Sequence, residues 1–377
     1  MSLDRISKEI VNLIIKSPKR ILLVFLIINL LLIPGIFNLV SNVEPSLEKV
    51  LPNDVSEIQT MNYLRSEFGV DMVYLVVHTT DSLSDVRDPK FIDYVDILSQ
   101  RIETLDNVLE VRSISNHIKD VNFGEIPLRI EDLEKLTSTD DFAQYVSWDY
   151  SFAVIGVRTN TGSSASLVSN LIDSINYEID LSLDYNPGAT IEITGFSAID
   201  KATFSVIMSD FLVITFVSMA AIAIIVFIAF KSLTKGMLPM IIVMNALVWT
   251  MGIVGYLDLT ITVVSMVSAA MIMGLGIDFG IHQVHSYFDY RKKLSPKDSL
   301  FSLMEELLRA MLGASMTTIA GFMALLFGVL PAMKTLGIIL SLGILTTLIG
   351  AIFLLPTIIY LYDNSITNKN KIKKLKN

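Results

Sequence analysis

Six runs of about 20 residues or more, uncharged except at one position, set the limits on this chain: Ile21–Val40, Phe211–Phe230, Gly236–Leu257, Leu259–Phe288, Ala310–Met333 and Thr335–Tyr362. A helix rises 1.5 Å per residue, so about 20 apolar residues cross the roughly 30 Å of bilayer hydrocarbon. A helix buried in a water-soluble core rarely runs so far without a charge, and six such runs cannot all be core. Composition agrees, since 52% of the 377 residues are hydrophobic and 18% charged, against roughly 25% charged in soluble proteins. The expected class is a polytopic α-helical membrane protein. The chain has no cysteine, which excludes disulfides, a thiol nucleophile, cysteine-ligated zinc and iron–sulfur clusters.

The first run follows Lys16, Lys19 and Arg20, starts too far inside for a secretory signal, and has no small-residue cleavage site after it. It is expected to stay attached. Further basic clusters are Lys231/Lys235, then Arg291/Lys292/Lys293/Lys297 with Arg309, and Lys369 to Lys376. All four fall on one side if each run spans once, and the excess of Lys and Arg makes that side the cytoplasm. The expected plan is a cytoplasmic amphipathic segment over 1–20, helix 1 over 21–40, an extracytoplasmic domain over 41–203, helices 2–6 over 204–362, and a basic cytoplasmic tail over 363–377. Both termini lie inside and short outer turns fall at Asp258 and Lys334, in the plasma membrane.

Residues 41–202 hold 28 Asp and Glu against 11 Lys and Arg, a net of −17 within a chain of net −9. A nucleic-acid partner needs a basic surface, so that class is dismissed; the bland account of the acidity is a well-solvated exterior. Within this segment Asp71–His78 is β-rich, Phe91–Leu105 has helical period and Val108–Ser115 alternates, which reads as a β-α-β unit. An acidic bridge, Asn116 to Asp149, has short helical pieces around Glu131–Leu136. The pattern then repeats as a strand over Phe152–Arg158, a helix over Ser166–Ile179 and a strand over Thr190–Thr194, ending at Gly195. Two such halves suggest a ferredoxin-like α+β sandwich with two helices covering one sheet face.

Asp278 interrupts the fourth run. A carboxylate in hydrocarbon costs about 2.5–3.5 kcal/mol by insertion scales. Asp278 lies four or five residues past the midpoint between Asp258 and Asp289, about 7 Å to the cytoplasmic side of centre. An ionised carboxylate there needs a cation or several donors, and with neither it takes up a proton. Such a group can load and release a proton in mid-membrane; the alternative is a protonated carboxyl acting as hydrogen-bonded glue between helices. His282 and His285 follow at i+4 and i+7, offset by about 40° and −20°, so the three share one face. They read either as a proton path from Asp278 through His282 or as interfacial histidines solvated near Arg291. Zinc would use the Asp278/His282 spacing, but no further cluster supplies the remaining ligands, so no metal is expected. Tyr287 and Tyr290 fit an interfacial belt. Gly274, Gly276 and Gly280 surround the acid. The Gly276/Gly280 pair allows a close helix approach and implies that the acid faces protein. Asn245, Ser315, Thr317 and Thr318 are candidate polar partners on other spans.

The run Gly274-Leu-Gly-Ile-Asp278-Phe-Gly-Ile-His282, followed by a basic loop, resembles the fourth-span signature of the resistance–nodulation–division (RND) superfamily, in particular its MMPL-like and hopanoid-transporter branch. Leu51-Pro52, Phe68-Gly69, Thr194-Gly195, Thr317-Thr318-Ile-Ala-Gly321-Phe322 and Leu355-Pro356 extend the likeness over nearly the whole chain. Full-length members look like two tandem copies of one span, an outer domain and five spans; this sequence shows no internal repeat and resembles a half-size member. The resemblance implies that Asp278 is a proton-relay residue and that the function is proton-driven export of lipids or other hydrophobic molecules through the outer porter domain. Phe279 stands where many relatives have Tyr, which makes it a packing residue and leaves His282 or the Thr317 and Thr318 hydroxyls to replace the phenol. Full-length relatives place two copies face to face, so the resemblance implies a homodimer closing over Asp278 and the Gly276/Gly280 face, with a trimer built on outer-domain contacts as the alternative.

Two other classes compete with transport. A sterol-sensing-like receptor module resembles the same five-span block, but a pure sensor needs no ionisable group at Asp278. A SecDF-like accessory to protein export shares the six spans and the large first loop, but its fourth-span motif differs. No nucleotide loop and no Ser-His-Asp pattern is present, so neither enzymatic activity nor a cofactor is expected; the expected partners are a second copy, a hydrophobic cargo and membrane lipids.

Overall fold

A computed structural model describes residues 3–41, 43, 50–80, 85–162 and 164–376. The predicted opening of the outer domain, 42 and 44–49, lies outside the described residues. The regular elements begin with α1 (Leu3–Lys16), α2 (Pro18–Ser41), α3 (Ser56–Phe68), β1 (Asp71–His78), α4 (Pro89–Glu103) and β2 (Val108–Arg112). They continue with α5 (Ile114–Val121), α6 (Ile130–Thr137), β3 (Phe152–Thr159), α7 (Ala165–Leu181), β4 (Thr190–Thr194), α8 (Phe196–Phe230) and α9 (Leu233–Tyr256). Last come α10 (Val263–Met266), α11 (Ser268–Tyr290), α12 (Pro296–Met323), α13 (Pro331–Ile349) and, after a π-helical turn over Gly350–Leu354, α14 (Leu355–Lys376). The chain divides into two compact units, Met1–Pro52 with Ile207–Asn377, and Asn53–Val206.

The second unit is a mixed α+β extracytoplasmic domain inserted between the first and second membrane helices. Its sheet has the order β2-β3-β1-β4 with antiparallel neighbours, Leu75 facing Ile155 on one side and Ile193 on the other. Alternation along β1 buries Val73, Leu75 and Val77 completely, and the 3.6-residue period of α4 buries Phe91, Tyr94, Val95, Leu98 and Ile102 in the same core. Each such side chain contributes about 1.5–3 kcal/mol by leaving water. The strand expected over Val108–Ser115 stops at Arg112, because Ser113 becomes the N-cap of α5 and its hydroxyl accepts the Asn116 N–H, a contact worth about 1 kcal/mol. Gly195, which ends β4, has φ +107°, and a Cβ there would lie 2.4 Å from the Met72 carbonyl oxygen. Only glycine fits this crossing, which gives Thr194-Gly195 a steric basis. Glu110 accepts from Arg112 at 2.6 Å and pairs with Arg158 at 2.9 Å, and the two guanidiniums, Arg112 first, hold its carboxyl below the usual carboxylate range.

Six helical segments among the described residues are long and apolar enough to cross a membrane: Pro18–Leu39, Phe196–Phe230, Leu233–Tyr256, Val263–Tyr290, Pro296–Phe327 and Pro331–Ser365. Two of the apolar runs are broken differently from the expectation. Leu259–Phe288 divides between α10 and α11, and Ala310–Met333 is not one helix. The helix over its first part starts fourteen residues earlier, at Pro296, capped by Ser295, and is over by Phe327. Gly328 leaves helical geometry and Pro331 opens α13 at its first turn, where a missing N–H costs nothing.

Helices α2 and α9 touch backbone to backbone. A Cβ on Gly255 would lie 1.8 Å from the Gly35 carbonyl oxygen, and one on Gly252 would lie 2.6 Å from that of Leu32. In lipid, where apolar burial drives nothing, such close packing and polar bonds hold helices together. Here the bonds are Asn29 Nδ2 to Asn245 Oδ1 at 3.1 Å and Tyr256 Oη to the Leu31 carbonyl at 2.8 Å, beside a Phe25–Trp249 stack at 4.9 Å. The amphipathic α1 buries Val11 and Ile14 in a cluster with Leu300, Leu303 and Met304 of α12.

Candidate functional site

On a helix, residues two apart point about 200° away from each other. Gly276 and Gly280 therefore lie opposite Asp278, while Gly274, four residues before it, shares its face. The structure bears this out in contacts. A Cβ on Gly276 would meet Thr347 of α13 at 3.0 Å, and one on Gly280 would meet Pro239 of α9 at 2.7 Å. A Cβ on Gly274 would meet nothing within 4 Å. The expectation that the Gly276/Gly280 pair brings protein against the acid is thus corrected: this pair seats α11 on its own chain, and the acid looks the other way.

Asp278 opens onto a cleft of about 460 Å³ between α11 and α12, with Ile344 of α13 also in its lining beside Asp278, Phe279, His282, Met311, Ala314 and Thr318. Asp278 and His282 are both exposed, and no described residue hydrogen-bonds or pairs with the Asp278 carboxyl. Phe279, half-buried, forms part of the wall with its ring. The Thr318 hydroxyl donates to the Ala314 carbonyl at 2.8 Å, which leaves its lone pairs for a second donor. Thr317 is exposed and does not line the cleft; its hydroxyl donates to Ala314 and Gly313 within α12. Elsewhere on α12, added Cβ atoms on Gly313 and Gly321 would also meet nothing within 4 Å.

The other expected partners are elsewhere. Asn245 is committed to Asn29, and Ser315 is fully buried with no bond to its Oγ. Below the cleft on the same face, His285 Nε2 stands 3.3 Å from Asp289 Oδ2, and Lys292 Nζ is 2.7 Å from Asp289 Oδ1. On the packed face, Tyr287 donates to Asp363 Oδ2 at 2.9 Å and Arg291 Nε lies 2.5 Å from the same oxygen, tying α11 to α14.

Sequence reasoning missed Gln283. Fully buried, it donates from Nε2 to the Ala351 carbonyl at 2.8 Å, inside the π-helical turn, and contacts the sulfur of Met311, a wall of the cleft. An amide in an apolar run was the available signal. The described residues contain no group of three or more His, Asp or Glu placed to hold a metal ion.

An acid within an apolar span, opening on a helix–helix cleft in a chain that also carries a large extracytoplasmic domain, fits a membrane transporter, and sequence comparison leads to the same place. Residues 56–375 match the model of the MMPL family. A putative membrane protein of Methanocaldococcus jannaschii is 28% identical over 386 residues, covering 100% of this chain and 98% of the relative. With its spans, outer domain and sequence match considered together, the chain belongs to the MMPL family of RND-like membrane transporters.

Proposed function

We propose that this protein is a half-size member of the hopanoid-transporter branch that uses the proton-motive force to export lipids or other hydrophobic molecules. Asp278 is the coupling acid, with His282 and Thr318 as its polar surroundings and Phe279 packing beside it; Thr317, one residue before Thr318, stands outside the cleft. The observation that carries this reading is an exposed carboxyl, without a protein partner, in a cleft that also holds His282 and Thr318. A buried structural acid would be hydrogen-bonded; one that must exchange protons has to be reachable.

The strand order and antiparallel pairing support a ferredoxin-like reading of the porter domain. The basic clusters support cytoplasmic termini. A homo-oligomer, most simply a twofold dimer, would close the Asp278 face, since a carboxylate and two histidines turned to lipid are costly.

The test is Asp278→Asn, which keeps size and hydrogen bonding but cannot titrate. In proteoliposomes, gradient-dependent movement of a fluorescently labelled phospholipid should vanish while assembly survives. Undiminished movement in the Asn variant overturns the coupling role.

A further inference from the structure

We infer that Asp289 is the proton port of this transporter at the C-terminal end of α11, joined to Asp278 by a ladder through His282 and His285; the inference rests on the coupling role proposed for Asp278. The four groups fall at i, i+4, i+7 and i+11, within about 40° of one line along the helix. They cover about 16 Å of rise, from near mid-membrane to the charged end of the span. Neighbours at three and four residues sit about 5–6 Å apart at Cβ, a gap that one water or one ring rotation bridges. The last step is already formed, with His285 Nε2 3.3 Å from Asp289 Oδ2.

Exposure separates this acid from the other one at the same end. Asp363 is 8% exposed and held by Tyr287 and Arg291 on the packed face, half a turn round from the ladder. The side chains of Asp289 and His285 are 50% and 71% exposed on the open face. Besides Arg291, Asp363 and Lys293, the charged or titratable groups around this end include Lys292 on Asp289, Glu306 of α12, which accepts from Tyr290 at 2.5 Å, and Lys235 of α9, which lies 4.1 Å from the centre of the Phe288 ring. Glu306 is thus engaged by a phenol and Lys235 rests on an aromatic face, which leaves Asp289 as the carboxylate in contact with a ladder histidine.

Imidazole suits the intermediate positions because it takes a proton on one nitrogen and gives one up from the other. A proton leaving Asp278 is taken up by His282 on one nitrogen and given up from the other. His285 repeats the exchange, taking it on Nδ1 and releasing it from Nε2, and Asp289 receives it; the same steps in reverse load Asp278 when protons are supplied at Asp289. Each histidine is returned to neutrality, with no net redox change. A salt bridge that served only to anchor the helix would not need to be continued at 282 and 278.

The experiment uses the full-length protein in liposomes, a flash-released caged proton, and time-resolved infrared detection of the carboxyl band that disappears in Asp278→Asn. Protonation of Asp278 should slow at least tenfold or so in His285→Ala and in Asp289→Asn, as expected when a positioned proton carrier is removed. The equilibrium midpoint of the band should hardly move. Free imidazole should restore the rate in His285→Ala. Rates within about twofold of wild type in both variants, with the band intact, overturn the ladder and leave the role of Asp278 standing. A slowed rate that imidazole fails to restore also overturns it, because the histidine then acts only on structure. Absence of any titrating Asp278 band overturns both the ladder and the coupling role.

Discussion

On one side of α11, Gly276 and Gly280 admit Thr347 and Pro239 of the same chain; on the other, Gly274 faces open space and Asp278 stands in a cleft without a partner. Both sides are built from glycine and apolar residues, and a hydropathy profile does not tell them apart. What differs is whether the chain supplies its own neighbour. Helices α9 and α13 finish the first side. The second ends in a carboxylate and two histidines that the bilayer would penalise, so either water or another protein surface has to meet it.

The strongest way to break this comparison is Gly280→Leu. The new side chain would have to displace Pro239, whose Cα is 2.8 Å from the added Cβ, and overpacking of this kind costs about 1–3 kcal/mol before any backbone shift. We expect loss of a monodisperse peak in detergent size-exclusion chromatography; a well-behaved protein would mean that the closed side is not closed. Gly274→Leu and Gly313→Leu are the matching probes of the open side. With nothing within 4 Å of either, stability should stay within about 0.5 kcal/mol, while mass measurement in nanodiscs should show the oligomer reduced to single chains. Persistent assembly in both would move the subunit contact elsewhere.

A smaller effect is expected from His282→Phe. An imidazole that hands protons to or from the carboxyl shapes the pH profile, so its removal should shift the pH dependence of transport. An unchanged profile returns His282 to a packing role. The smallest effect probes the outer unit, where every partner comes from within the chain. Glu110 has its carboxyl held low in the folded state, so the stability it contributes is present above the ordinary carboxylate value and fades as pH falls through the depressed one. The group is 33% exposed and screened, so Glu110→Gln should cost less than about 1 kcal/mol at pH 7. The difference between the two proteins' thermal midpoints should close as pH falls through the depressed value of the Glu110 carboxyl.

The spans were legible because length and absence of charge are local properties, and Asp278 was legible because it violates them. The helix facing of Gly276 and Gly280 was present in the numbering, since two residues are half a turn, yet the identity of their neighbours was not. Pro239 and Thr347 are 41 and 71 residues away from Gly280 and Gly276 in opposite directions along the chain, and nothing local announces them. For the same reason Asn245 looked available to the acid when it belongs to Asn29. The end of the fifth span was misjudged because apolarity continues through Gly328 and Leu330 while the helix does not: hydropathy reports the solvent a segment prefers, and backbone geometry decides where it turns.

The glycine contact between α2 and α9 bears on how the protein is made. Its two halves lie on either side of the whole outer domain, so α2 enters the bilayer long before Gly252 and Gly255 exist. At about 5–20 residues per second, the roughly 190 residues between the two helices take on the order of 10–40 s to synthesise. During that interval the first span keeps its place through its own Leu- and Ile-rich surface, with the Asn29 amide still waiting for Asn245. The groove is a late-closing latch, and the outer domain has most of that time to cross the membrane and fold before the helix preceding it is fixed against the bundle.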